Sequence, residues 1–214
     1  MNNWLKKALP HLIAIGVFLS VTLIFCRSGL ESGVSMRQND ITSVAGMTKQ
    51  LRDHYAQTGT YPLWVSNMFS GMPAWQVLFD GGQSPLHYIG RTLQLWLPEP
   101  FNFFFLACIG FYIFCLSVRI RPWVAILGSL AFAFCSYNPI IVTEGHVTKM
   151  LAMAYAPALL GSVILLYERK YLLGFALSSL FAALQIQQNH PQITYYLFIV
   201  IGIMSIAYLV RWIK

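Results

Sequence analysis

The sequence predicts an all-α polytopic membrane protein of about six transmembrane helices, with a long first outer loop that carries interfacial helices. Three observations predict it. Of the 214 residues, 57% are hydrophobic and only 10% are charged, whereas a soluble domain carries about 25% charged residues. The apolar residues gather into runs near the ~20 residues that a bilayer requires of a helix. The lysines and arginines between those runs favour alternate connections, as the positive-inside rule demands.

The runs fall at roughly 9–26, 101–118, 122–141, 150–167, 171–188 and 194–213. Pro139 and Pro157 lie near or within two of them, which is tolerated in membranes because neighbouring groups satisfy the freed carbonyls. The first run follows Lys6 and Lys7 but precedes no A-x-A site. Its "LIFC" end has Phe25 where a lipoprotein signal needs a small residue. It therefore reads as an uncleaved anchor.

With the N-terminus in the cytoplasm, the inner segments hold Lys6, Lys7, Arg119, Arg121, Arg169, Lys170, Arg211 and Lys214 against the single acid Glu168. The outer segments hold Arg27, Arg37, Lys49, Arg52, Arg91 and Lys149. Glu31, Asp40, Asp53, Asp80, Glu99 and Glu144 balance these. The asymmetry predicts both termini inside, in a bacterial inner (cytoplasmic) membrane, with the first loop facing out.

That loop, residues 27–100, is long enough to be functional rather than connecting. "NDITSVAGMTKQLRDHYAQTG" predicts a helix capped by Asn39 or Asp40 and stopped at Gly59. "PLHYIGRTLQLWLP" (85–98) predicts a second, starting at Pro85. Both suit the membrane interface. Between them, "YPLWVSNMFSGMPAWQVLFDGG" predicts an irregular aromatic loop. The chain has no Walker loop, GxGxxG, GxSxG or HExxH.

The net charge of +7 comes from residues set singly or in pairs, without the basic stripe of a nucleic-acid surface, so no nucleic-acid partner is expected. Cys26, Cys108, Cys115 and Cys135 all sit in or beside apolar runs and show no metal-ligand spacing. Packing is their simplest role. His11, His54 and His87 are read as structural.

Two polar patches interrupt the apolar sequence on the outer side. "SYNPIIVTEGHVTKM" (136–150) carries Glu144, His146 and Lys149. Ionisable groups beside membrane segments are functional candidates by default. On a helix His146 and Lys149 share a face and suit a lipid-linked phosphate, with Glu144 orienting His146 or accepting from Lys149. The plain alternative is a solvated turn whose lysine snorkels. "QIQQNHPQITYY" (185–196) carries Asn189, His190 and Gln192, whose amide and imidazole groups suit sugar hydroxyls or phosphate, and Gln185, Gln187 and Gln188 extend that polarity into the preceding span, which favours a cavity. Pro191 there breaks the helix, and the alternative is an ordinary outer turn. For Asp40 the alternative is a helix N-cap.

In combination, "QNDITS", "YPLWVSNMFSGMPAWQ", "LPEPFNFFFLACIGFY", "EGHVTKMLAMAYAP" and "KYLLGFALSSLFAALQIQQNHPQITYYL" resemble the N-terminal part of bacterial YfhO-like membrane proteins. That family is similar to GT-C-type glycosyltransferases. The resemblance implies a single transmembrane domain over 1–214, the N-terminal part of a longer protein. It implies transfer of a sugar from a polyprenyl-phosphate carrier to an envelope polymer, lipid or protein on the outer face. Asp40 matches the family's acidic catalytic residue and would be the base. Asn39 and Ile41 flank it, so the paired-acid signature of a metal site is absent and no cofactor is indicated. The expected partners are the lipid-linked sugar donor, membrane lipids and the envelope acceptor. The alternative is a non-catalytic transporter or a lipid-binding or assembly subunit.

Overall fold

The structure is a computed structural model that describes residues 3–27, 38–77 and 84–214. The predicted charges Glu31, Arg37 and Asp80, and the end of the aromatic loop at 78–83, lie outside the described residues. Ten α-helices run through the described chain. They are α1 (Asn3–Phe25), α2 (Asn39–Met47), α3 (Lys49–Thr58), α4 (Pro85–Leu93) and α5 (Phe101–Ser117), then α6 (Pro122–Ala133), α7 (Tyr137–Glu144), α8 (Val147–Tyr167), α9 (Tyr171–Gln187) and α10 (Pro191–Ile213).

The apolar helices are those of a membrane protein, and the fold is all-α apart from one small hairpin. α1, α8 and α10 are long and apolar enough to cross a bilayer. α6 and α7 make a fourth if the pair, bent by 44°, counts as one span. α5 and α9 are equally apolar at 17 residues each, just under the usual length. The predicted run 122–141 is therefore two helices. Asn138 holds the break by donating through Nδ2 to the carbonyls of Phe132 (2.9 Å) and Ala133 (3.0 Å), which the end of a helix leaves without partners.

α5 is the centre. Phe101 to Cys108 is buried without interruption, because α8, α6 and α1 surround it. α5 and α8 cross closely at Gly110, where a Cβ would lie 2.0 Å from the Ala154 carbonyl oxygen. α9 packs on α8. By contrast α1 buries only one stripe, Ala14, Phe18 and Thr22, which Cys26 just past its end continues, spaced at four residues along one helix face. α10 buries only Leu197. Cys26, Cys108 and Cys115 are buried free thiols, as packing residues should be, whereas Cys135 is exposed.

At one end of the bundle, α5 and α8 close in the same way. Arg119 and Arg169 each take a left-handed conformation (φ 64° for both), and the next residue's N–H returns to the carbonyl of Cys115 or Leu165 (2.9 Å each). This is a Schellman closure with arginine in the usual glycine position. Arg119 and Glu168 then pair at 3.1 Å, tying the two basic turns together. The polar patches and the first loop gather at the opposite end.

That loop is more ordered than an irregular aromatic segment. The predicted helix from 39 stops at Thr48 and restarts as α3, ending at Gly59 in a left-handed conformation (φ 73°). A short antiparallel hairpin pairs Trp64 with Pro73 and Val65 with Met72. α4 begins as expected, with Pro85 at its start and the Ser84 hydroxyl accepting from Leu86 N–H.

Candidate functional site

The site is built around a glycine. Gly145 ends α7 with φ +89°, and the N–H of His146 turns back to the carbonyl of Ile141 (3.0 Å). That closure puts His146 at the N-cap of α8 and Lys149 in its first turn. Gly145 also serves a second purpose. A Cβ on it would lie 3.0 Å from Cβ of Gln38 and 3.1 Å from Cγ1 of Ile41. Only glycine lets the start of α2 lie against this turn. Gln38 secures the contact by donating from Nε2 to the carbonyl of Val142 (2.5 Å).

Asp40 sits in the first turn of α2, and its Oδ2 lies 2.7 Å from Nδ1 of His146. The capping role is thereby corrected. Gln38 occupies the N-cap without a side-chain cap bond, and the Asp40 carboxylate is directed across the molecule to a different helix. The role foreseen for Glu144 is corrected too. Glu144 is exposed at the end of α7 and forms no ion pair among the described residues. Asp40 orients His146 in its place. Both members of the pair are half-exposed, so a substrate can reach them.

Lys149 does not snorkel freely. Its Nζ lies 5.1 Å from the centroid of the Tyr137 ring, a cation–π arrangement. A cation in the first turn opposes the helix dipole. Lys149 and the first-turn N–H groups of α8 together make a place that favours an anion.

The second patch joins the same end. Asn189 takes a left-handed conformation (φ 52°) after α9 and donates from Nδ2 to the Trp75 carbonyl (2.8 Å), pinning a 3-10 turn of the first loop (Ala74–Gln76). His190 caps α10, with Nδ1 accepting from Ile193 N–H (3.4 Å), and Pro191 is the first helical residue. Burial holds the His190 imidazole below its usual range. Its own backbone opposes this, and the charges of Lys149 and His146 add to the depression. Those two residues are therefore its electrostatic neighbours. Gln192 is not part of the group. It lies exposed on α10 and donates to Tyr196 Oη one turn on (3.1 Å).

A cavity of about 580 Å³ lies between α2, α4, the start of α5, α8 and the end of α9; Gln187 and Gln188, whose polarity favoured a cavity, line it, whereas its wall from His87 to Asn102 was not foreseen. Arg91 and Glu99 both line it. Burial raises the Glu99 carboxyl, and the Arg91 charge partly offsets that. His87, left as structural in the sequence, lines it as well. Its wall is a hydrogen-bonded set. Gln94 accepts from Asn102 Nδ2 (3.0 Å) and Arg91 Nη1 (3.4 Å), and donates to Tyr155 Oη (3.4 Å). The available signal was the occurrence of amides in apolar surroundings, as in "PFNFFF" and "LQIQQN". No group of three or more His, Cys, Asp or Glu side chains among the described residues is placed to hold a metal ion.

No family model, curated protein or solved structure matches the chain.

Proposed function

We propose that the chain is a GT-C-like membrane glycosyltransferase that moves a sugar from a polyprenyl-phosphate carrier to an envelope polymer, lipid or protein. In this reading six helices span the bacterial inner membrane, both termini are cytoplasmic and the Asp40 end faces outward. The observation that carries it is the 2.7 Å contact between Asp40 Oδ2 and His146 Nδ1, with Lys149 in the first turn of the helix that His146 caps. The chemistry follows from that pair. Asp40 favours the tautomer with the proton on Nδ1, leaving the Nε2 lone pair to accept a proton. The acceptor hydroxyl loses its proton to Nε2 as its oxygen bonds to the anomeric carbon. The bond from that carbon to the carrier phosphate breaks, and the electron pair leaves with the phosphate. Lys149 and the newly charged His146 hold the phosphate. Asp40 is then the positioning residue of a dyad, a division of labour absent from the sequence reading, which made Asp40 the base itself.

The test is transfer of label from a polyprenyl-phosphate sugar in membranes that contain the chain. Asp40→Asn is expected to lower kcat by ~10²- to 10⁴-fold with KM little changed, and Asp40→Glu to recover part of the loss. Full transfer by Asp40→Asn would sink the dyad.

A second reading has its own support. Gln38 bonded to Val142 and Asn189 bonded to Trp75 make both polar patches anchors of the first loop, which is what a non-catalytic transporter, lipid-binding or assembly subunit needs. Absence of transfer by the wild type, together with release of the loop in Asp40→Asn, favours this reading.

A further inference from the structure

The cavity bounded by α4, α5, α8 and α9 has a lining unlike the rest of the bundle. Six of its residues are carboxamides: Gln76, Gln94, Asn102, Gln187, Gln188 and Asn189. An amide presents donors and an acceptor together, which is how a sugar hydroxyl presents itself in return. The two charges at the wall, Arg91 and Glu99, are of opposite sign, so the lining offers no uncompensated charge to an ion. The volume of about 580 Å³ falls within the ~300–1,000 Å³ of small-molecule sites.

Asn102 supplies the second, independent observation. It is 2% exposed, and its Nδ2 is committed to Gln94. Its Oδ1 accepts no hydrogen bond among the described residues. A buried acceptor without a donor is costly, and it sits among the buried phenylalanines Phe101, Phe103, Phe104 and Phe105. The surrounding network explains why it is kept. Gln94, whose own acceptor is already taken by Asn102 and Arg91, holds the Asn102 amide at the wall of the cavity.

We propose that this cavity binds an uncharged, hydroxyl-rich group, a sugar ring, with Asn102 Oδ1 accepting from one of its hydroxyls. This deepens the transfer reading and rests on it for naming the group a sugar. Asp40, His146 and Lys149 do not line the cavity, whereas Thr148, Asn189 and Val44 do. The cavity therefore adjoins the dyad through the chain neighbours of Lys149 and His190 and through one turn of α2. It seats the hydroxylated ring next to the place where the phosphate is held.

Saturation-transfer NMR on the whole chain in lipid nanodiscs tests this. The probes are the methyl glycosides of glucose, mannose, galactose and N-acetylglucosamine, with glucuronate as the charged comparison. At least one neutral glycoside is expected to bind, and more tightly than glucuronate. Asn102→Leu is expected to weaken it roughly three- to ten-fold, the worth of one net hydrogen bond. Gln187→Leu, at a half-buried position, is expected to weaken binding as well and serves as the test should Asn102→Leu fail to fold. Asp40→Asn is expected to bind as the wild type does. No binding of any of the four glycosides, or undiminished binding in the folded cavity variants, overturns the proposal. Intact binding by a wild type that transfers nothing removes the transfer reading and leaves the cavity standing. Transfer that survives Asn102→Leu and Gln187→Leu unchanged removes the cavity and leaves the dyad.

Discussion

Asp40 and His146 meet at 2.7 Å, although one belongs to the first loop and the other to the turn between α7 and α8. The contact joins two polar features that stand far apart in the sequence. A third, Asn189 and His190, reaches the same end of the bundle. Neither of the first two would be placed without the other. Gly145 sets His146, and the start of α2 rests on Gly145.

If the pair acts as a unit, its losses do not add. Asp40→Asn and His146→Ala are each expected to lower transfer by ~10²-fold or more, and the double variant by little more than the worse single one. Single-turnover rates with labelled lipid-linked sugar check this. Additive losses would mean that the two residues act separately.

Gly145→Ala is expected to loosen the first loop. The new Cβ would sit at φ +89° and within 3.1 Å of both Gln38 and Ile41, a combined strain worth ~1–3 kcal/mol. Limited proteolysis is the measurement. Cleavage within residues 38–60 should accelerate in the variant while α5 and α8 stay protected.

His190 gives a pH dependence with a definite sign. Its imidazole is held below the ordinary value of 6.5 in the folded chain, so between the two values the unfolded chain binds more protons. The contribution to stability is complete above pH about 6.5 and is lost as pH falls toward the depressed value. His190→Asn keeps a side-chain cap for α10 but has no titration. Melting temperatures of the two proteins from pH 7.5 to 5 should diverge, with the wild type falling more steeply.

The two ends of the bundle are expected to face opposite sides of the membrane. Glu144→Cys and Glu168→Cys, in a background where Cys26, Cys108, Cys115 and Cys135 are serine, check it. A membrane-impermeant maleimide applied to intact spheroplasts should label position 144 and spare position 168. Labelling of both, or of 168 alone, would reverse or remove the assigned orientation.

Much of the helical layout was legible in the residues. α5 and α9 lie within one residue of the runs 101–118 and 171–188, because charged or proline-bearing polar turns bound both runs sharply. The bend in 122–141 was not legible. It depends on Asn138 reaching two carbonyls of the preceding helix, a choice that Pro139 alone does not dictate. Asp40 shows the same limit. A cap and a cross-molecule ion pair ask for the same residue type in the same local setting, and only the approach of α2 to Gly145 decides between them. Glu144 looked the better partner for His146 because it is near in sequence, yet it is the last residue of α7 and lies exposed there. The cavity was only half legible for a related reason. Gln187 and Gln188 pointed to one, but its six amides come from four separated segments, and only the last of these holds more than one.

If six helices span the bilayer, as proposed, they differ in length where they meet lipid. At about 1.5 Å per residue, α9, with 17 residues, extends about 26 Å, and α10, with 23 residues, about 35 Å. α5 is as short as α9, but its neighbours enclose it and acyl chains do not have to match it. α9 and α10 both present exposed apolar side chains, so the surrounding lipid must fit both. The annulus would then be uneven, pinched beside α9 and full or tilted against α10. Bilayers of different acyl length would act on this protein first through that wedge.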